Sequence, residues 1–456
     1  MNKRRGWATV LLGLVLAGCG STPVVAGPGA AASSQVAPAS AGLESVGLES
    51  AESDLSAQAL GASGALDPAY GQQGLASVPG GRYTQLVRAL VQSDGQALMM
   101  GQSVSSGRVA SHLVRVSATG QPDAAFNSAD TSYFRGADAV PALLCPNGAN
   151  RYNDWGAECQ DPQRIVVASS DLDTGDLTLS RFLPSGQPDA SFGSAGQVAA
   201  AVSVGDVSAL LIQSDGAMVV LGSDGLARFR RGGALDRSFG TGGVAPLPND
   251  GYVQDIVMDI AERFLVLVNT DDGVASAAQV VRLTSTGQPD PSYGADGRAT
   301  LDFGPMGTGQ KLLVLSTNRV MVGGSGGLWR LLPNGMPDSS FGKAGRATFK
   351  GTGQGADGSG FIISGLVEDN HKRLVASVQT DERFSPTFKG NLARFRPNGT
   401  LDPSFGSGGL SHVALCAACG SGLAEFNSVA VLKNGRLLGM GTSGTGTNLI
   451  AARMFP

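Results

Sequence analysis

The phrase NGTLDPSFGSGG, residues 398–409, occurs in seven versions along the chain. The others are SGALDPAYGQQG from 63, TGQPDAAFNSAD from 119, SGQPDASFGSAG from 185, GGALDRSFGTGG from 232, TGQPDPSYGADG from 286 and NGMPDSSFGKAG from 334. Its aspartates are Asp67, Asp123, Asp189, Asp236, Asp290, Asp338 and Asp402, spaced by 56, 66, 47, 54, 48 and 64 residues. Self-similarity at such a period marks a repeat architecture, in which one unit cannot bury a core without its neighbours.

Each part of the phrase has a physical use. The Asp carboxylate can accept backbone N–H groups just after it, as in an Asx turn or N-cap. Proline at the next position, in Pro68, Pro291 and Pro403, presets φ for a tight turn. The aromatic three residues on is Tyr70, Phe126, Phe192, Phe239, Tyr293, Phe341 or Phe405. It is the group available to wedge neighbouring sheets, and its burial is worth roughly 1.5–3 kcal/mol. Glycine follows at plus four and plus seven in six copies, where positive φ or close backbone approach is expected. The second copy has Asn127 and Asp130 instead, residue types that tolerate the left-handed region.

Between motifs the order is constant. A short strand such as GRATL follows the motif, and two apolar runs then flank a polar turn, as in VRALVQSDGQALMMG (87–101). Gln-Ser-Asp-Gly between apolar runs is a hairpin signal. A fourth strand such as HLVRVSATG closes the unit. Four short strands per unit predict antiparallel sheets.

An arginine stands eight residues before each of the last six aspartates: Arg115, Arg181, Arg228, Arg282, Arg330 and Arg394. Asp67 has Ala59 there, whereas Arg453, near the last residue, has no aspartate after it. A circular array would bring Arg453 to Asp67; an open solenoid would leave two different ends. Arg and Asp then share one joint per unit, or the arginines lie over an apolar sheet edge. Closed radial repetition of four-stranded sheets gives an all-β, seven-bladed β-propeller, closed by the C-terminal strand beside the first repeat.

The sequence resembles the delta-60 repeat family through Leu/Pro-Asp-x-Ser-Phe-Gly-x-x-Gly and the Gln-Ser-Asp-Gly turn, over residues 62–456. The hairpins AERF at 261, STNR at 316 and DNHK at 369 depart from it. The resemblance implies a propeller-like fold and carries over no catalytic residue.

Lys3, Arg4 and Arg5 followed by WATVLLGLVLAG read as a secretory signal, since the apolar run falls short of the ~20 residues that span a bilayer. Leu16-Ala17-Gly18-Cys19 resembles the bacterial lipobox, which implies cleavage before Cys19 and its acylation. Gly20, in place of Asp, implies the outer membrane where a cell has two. The expected parts are a lipoprotein signal at 1–18, a lipidated end with an Ala/Ser/Gly/Pro-rich tether at 19–61, and the repeat domain at 62–456. A flexible coil of ~40 residues reaches ~35 Å.

Four cysteines remain after Cys19. Cys145 and Cys159 bracket an enlarged hairpin loop and are expected to form a disulfide, as are Cys416 and Cys419 within a CxxC. The loop between the first pair carries Tyr152 and Trp155, either a ligand contact or a self-packed cover for the cysteine bridge.

The chain carries 33 basic and 37 acidic residues without a basic stripe, which speaks against nucleic acid. His112, His371 and His412 are scattered, and no nucleophile elbow, zinc, phosphate-loop or dinucleotide motif is present. No metal or cofactor is expected. The reading is a non-enzymatic, membrane-tethered scaffold that binds an envelope protein or polysaccharide. A propeller hydrolase or lyase acting on an extracellular polymer is the alternative.

Overall fold

The computed structural model describes residues 61–79, 85–105, 108–126, 139–144, 163–171, 174–247, 251–271, 276–304, 307–348, 361–380, 390–413, 425–443 and 448–456. The chain divides into two units, Met1–Leu55 and Ser56–Pro456, and every described residue belongs to the second. The expected signal, Cys19 and nearly all of the tether lie outside the described residues.

Seven antiparallel sheets make a seven-bladed propeller. One blade shows the pattern: Val207–Ile212 innermost, then Met218–Gly222, Gly225–Phe229 and the outer Val244–Pro246. Second strands such as Met218–Gly222 and Val320–Gly324 are buried along their whole length, because a neighbouring blade covers each face. That is why they read as continuous apolar runs instead of alternating ones. Between two blades, Leu144, Val166 and Leu179 of one meet Leu210, Met218 and Phe229 of the next.

The repeat of the sequence and the blade of the structure are out of phase. The motif is the turn between a blade's third and outer strands. After Asp236, the strand Val244–Pro246 folds back onto Gly225–Phe229, with Leu226 opposite Ala245. A unit counted from motif to motif therefore gives its short strand to one sheet and its next three to another. The same offset closes the ring. Leu75–Pro79, which follows the first motif, pairs with Asn448–Met454 from Leu75↔Ala452 to Pro79↔Asn448.

The turns explain their residues. At Gly406 φ is +54°, and an added Cβ would stand 2.0 Å from the Leu410 carbonyl oxygen, so glycine is required. Two positions on, the left-handed region is also used, here by Gln73, Ala195, Asp296 and Ala344 with φ of 51–54°. The hairpins that depart from Gln-Ser-Asp-Gly keep its backbone: Glu262, Asn318 and Lys372 take φ of 58°, 59° and 63° where Gly95, Gly216 and Gly435 stand in other blades.

Candidate functional site

Two rings surround the axis, one of joints between blades and one lining the central channel. At each joint the motif aspartate makes the Asx turn. In the seventh motif, Asp402 Oδ1 accepts the Ser404 N–H at 3.2 Å and the Ser404 hydroxyl at 2.8 Å. Its Oδ2 accepts Arg394 Nε at 2.8 Å. Arg115–Asp123, Arg181–Asp189, Arg228–Asp236, Arg282–Asp290 and Arg330–Asp338 pair in the same way. Arg453 meets Asp67 at 3.0 Å across the closure.

Each guanidinium also reaches the next blade. Arg228, Arg282 and Arg330 donate through Nη1 to the carbonyls of Ser285, Pro333 and Pro397. Arg394 donates to Ser63 Oγ, and Arg453 to the Ala118 carbonyl, which carries the chain of contacts through the closure. Every one of the seven lies over the motif aromatic of its own joint, 4.4–4.8 Å from the ring centre. This stacking was not read from sequence. Nor was a second arginine from the hairpin at five joints: Arg164, Arg263, Arg319, Arg373 and Arg436 approach Asp189, Asp290, Asp338, Asp402 and Asp67. The signal was present, since each stands at or just after a hairpin turn.

Burial works to raise the pKa of Asp189. Hydrogen bonds from Ser191 and Arg164, together with the charge of Arg181, outweigh it and bring the pKa down to about 2. Asp402 is held below the usual carboxylate range by the same balance, with Ser404 and Arg394 against burial. With their oxygens engaged by protein donors, these carboxylates tie blades together.

The second ring encloses a cavity of about 180 Å³ lined by the innermost strands of all seven blades. In six of them a β-bulge interrupts the pairing with the second strand, at Val87, Ser208, Gln254, Gln310, Ser364 and Asn427. Bulges re-aim side chains, and here they crown the end of the channel at which the inner strands begin. Gln254 donates to Gln310 of the next blade at 3.0 Å, and the Ser364 hydroxyl to the Phe426 carbonyl at 2.8 Å. One residue beyond the bulge come Arg88, Asp255, Lys311, Gly365 and Ser428. Asp255 Oδ2 accepts the Leu312 N–H at 2.9 Å and lies 3.9 Å from Lys311 Nζ. The inner strands Ala139–Leu144 and Val207–Ile212 present Pro141, Ala142, Leu143, Leu210 and Ile212 instead. The sequence signal missed here is a polar pair before an apolar run, as in Gln254-Asp255 and Gln310-Lys311.

The remaining sequence-derived candidates, Tyr152, Trp155 and the cysteines Cys145, Cys159, Cys416 and Cys419, lie outside the described residues. Among the described residues no cluster of three or more His, Cys, Asp or Glu side chains is arranged to hold a metal.

Comparison with solved structures finds chains of low identity. The extracellular domain assigned to a one-component system of B. thetaiotaomicron aligns at 12% identity and a TM-score of 0.43, over 83% of this chain and 40% of that one. The chain thus spans less than half of that relative. A gluconolactonase of Xanthomonas campestris aligns at 12% identity and 0.35, over 83% and 97%. The α-L-arabinofuranosidase Arb93A of Fusarium graminearum aligns at 10% identity and 0.39, over 84% and 97%. A search of curated protein sequences returns no match. Residues 315–341 and 384–405 match the family described as a domain of unknown function (DUF5122) β-propeller.

Proposed function

We propose that the chain is an exported propeller, anchored in the cell envelope through a lipid on Cys19, that acts as a non-enzymatic binding scaffold for an envelope polysaccharide. The observation that carries this reading is the bulge ring. At the bulges of the inner strands Ser208, Gln254, Gln310, Ser364 and Asn427 carry neutral hydroxyl and amide groups, and Ser364 and Asn427 line the cavity itself. Such groups both donate and accept hydrogen bonds, which suits a hydroxyl-rich polymer. The rival reading is a hydrolase or lyase. Asp255, the carboxylate that lines the channel, already accepts the Leu312 N–H, an arrangement that favours binding.

A glycan array probed with the full chain in detergent tests the proposal. Retention of an intact polysaccharide, weakened by Gln254→Ala and Gln310→Ala, is the expected result. Retention of nothing, or release of shortened products, would overturn it.

A further inference from the structure

We infer that the axial cavity takes a carboxylate-bearing sugar unit, a uronate, with Arg88 and Lys311 as its counter-charges. The inference rests on the polysaccharide-binding reading and names the ligand class. Arg88 is half-buried at the channel wall, and among the described residues its side chain makes no ion pair or hydrogen bond. A cation withdrawn from water without a partner is costly, so the site favours an anion that supplies one. Lys311 is only loosely compensated, since Asp255 stands 3.9 Å away and shares that oxygen with a backbone N–H. The charged groups along the wall, Arg88, Lys311 and Asp255, leave one positive charge in excess.

Their order around the axis gives the site its shape. The inner strands Gly309–Val314, Phe361–Glu368, Glu425–Val431 and Gln85–Val91 are successive neighbours, and they bring Lys311, Ser364, Ser428 and Arg88 in turn. Cation, hydroxyl, hydroxyl and cation form one arc. The arc of Ala139–Leu144 and Val207–Ile212 is apolar, with Pro141, Leu143, Leu210 and Ile212. A pyranose has a polar rim and a C–H face, and a uronate adds a carboxylate at the rim, so it matches both arcs together. The cavity volume of about 180 Å³ is near the ~150 Å³ that admits one six-membered ring. Arginine supplies the planar fork that grips a carboxylate with two hydrogen bonds.

The test is calorimetric titration of the full chain in detergent with trigalacturonate and, separately, with its methyl ester. The acid is expected to bind at least ~10-fold more tightly than the ester, and increasingly weakly as salt rises. Arg88→Gln should remove that preference, and Lys311→Gln should reduce it. Should Arg88→Gln fail to fold by circular dichroism, Arg88→Lys keeps the charge and loses the fork, and a several-fold loss for the acid alone is expected. Equal binding of acid and ester, or an Arg88 variant that binds the acid as well as the parent, would overturn the uronate site and leave the scaffold reading standing. Binding of neither probe also overturns it. If the array too retains no glycan, the polysaccharide reading falls with it.

Discussion

Replacing Arg394 with methionine tests the joint directly. Arg394 is 1% exposed and has no access to water when its partner changes. It gives Nε to Asp402 at 2.8 Å, Nη2 to Ser404 Oγ at 3.0 Å and Nη1 to Ser63 Oγ at 3.0 Å, with its guanidinium carbon 4.7 Å from the Phe405 ring centre. Methionine keeps much of the apolar stem and removes all four contacts. Asp402 would be left buried, with Arg373 at 3.8 Å as its nearer remaining cation. Breaking a buried ion pair from one side costs ~3–5 kcal/mol. Arg396 is the control: it is 53% exposed, lies 3.9 Å from the same aspartate, and its replacement by alanine should cost only ~0–1 kcal/mol. Urea unfolding followed by tryptophan fluorescence measures both. The double replacement Arg394→Met/Asp402→Leu should recover part of the loss, since the orphaned charge is gone. If Arg394→Met lies within ~1 kcal/mol of the parent, the joints are not what holds the ring.

Three further outcomes follow from the same geometry. The pKa of Asp189 is depressed to about 2, so its contribution is full above the unfolded value near 3.9 and is lost as pH falls through the folded one. That contribution is on the order of 2 kcal/mol, and Asp189→Asn should flatten the acid limb of a stability–pH profile between about pH 4 and 2. Gly406→Ala should destabilise by about 3 kcal/mol, from left-handed backbone and overpacking together. Gly408→Ala, at φ +62° with open space around it, should cost about 1–2 kcal/mol in the same denaturation assay. A chain beginning at residue 85 lacks the strand that covers Asn448–Met454 and the aspartate that pairs Arg453. Its open edge should drive self-association, measured by size-exclusion chromatography, and a monomer as stable as the parent would contradict closure.

The joints were largely legible from sequence because their parts lie close together along the chain. Asp402, Ser404, Phe405 and Gly406 fall within one turn, and Arg394 is eight residues away, the span of one strand end and one reversal. The unmatched pair Ala59 and Arg453 also pointed to a circle. The cation stacking on the aromatics was missed because the eight-residue and three-residue offsets were read separately, and only the folded turn superimposes them. The second arginines were missed because their hairpins looked like departures from the repeat, whereas Arg263, Arg319 and Arg373 sit in those very hairpins. The channel wall was not legible. Val87-Arg88 and Asn427-Ser428 read as ordinary strand residues, and the bulges that re-aim them depend on pairing with the second strand.

The sequence by itself determined the period, the turn backbone and the residues of each joint, because these are set by sterics and hydrogen bonds reaching no further than about ten residues. The tertiary structure decided which short strand belongs to which sheet, and which residues face the axis. Those follow from closure: only when Leu75–Pro79 lies on Asn448–Met454 do Arg88 and Ser428, far apart in the chain, stand on neighbouring blades around one cavity.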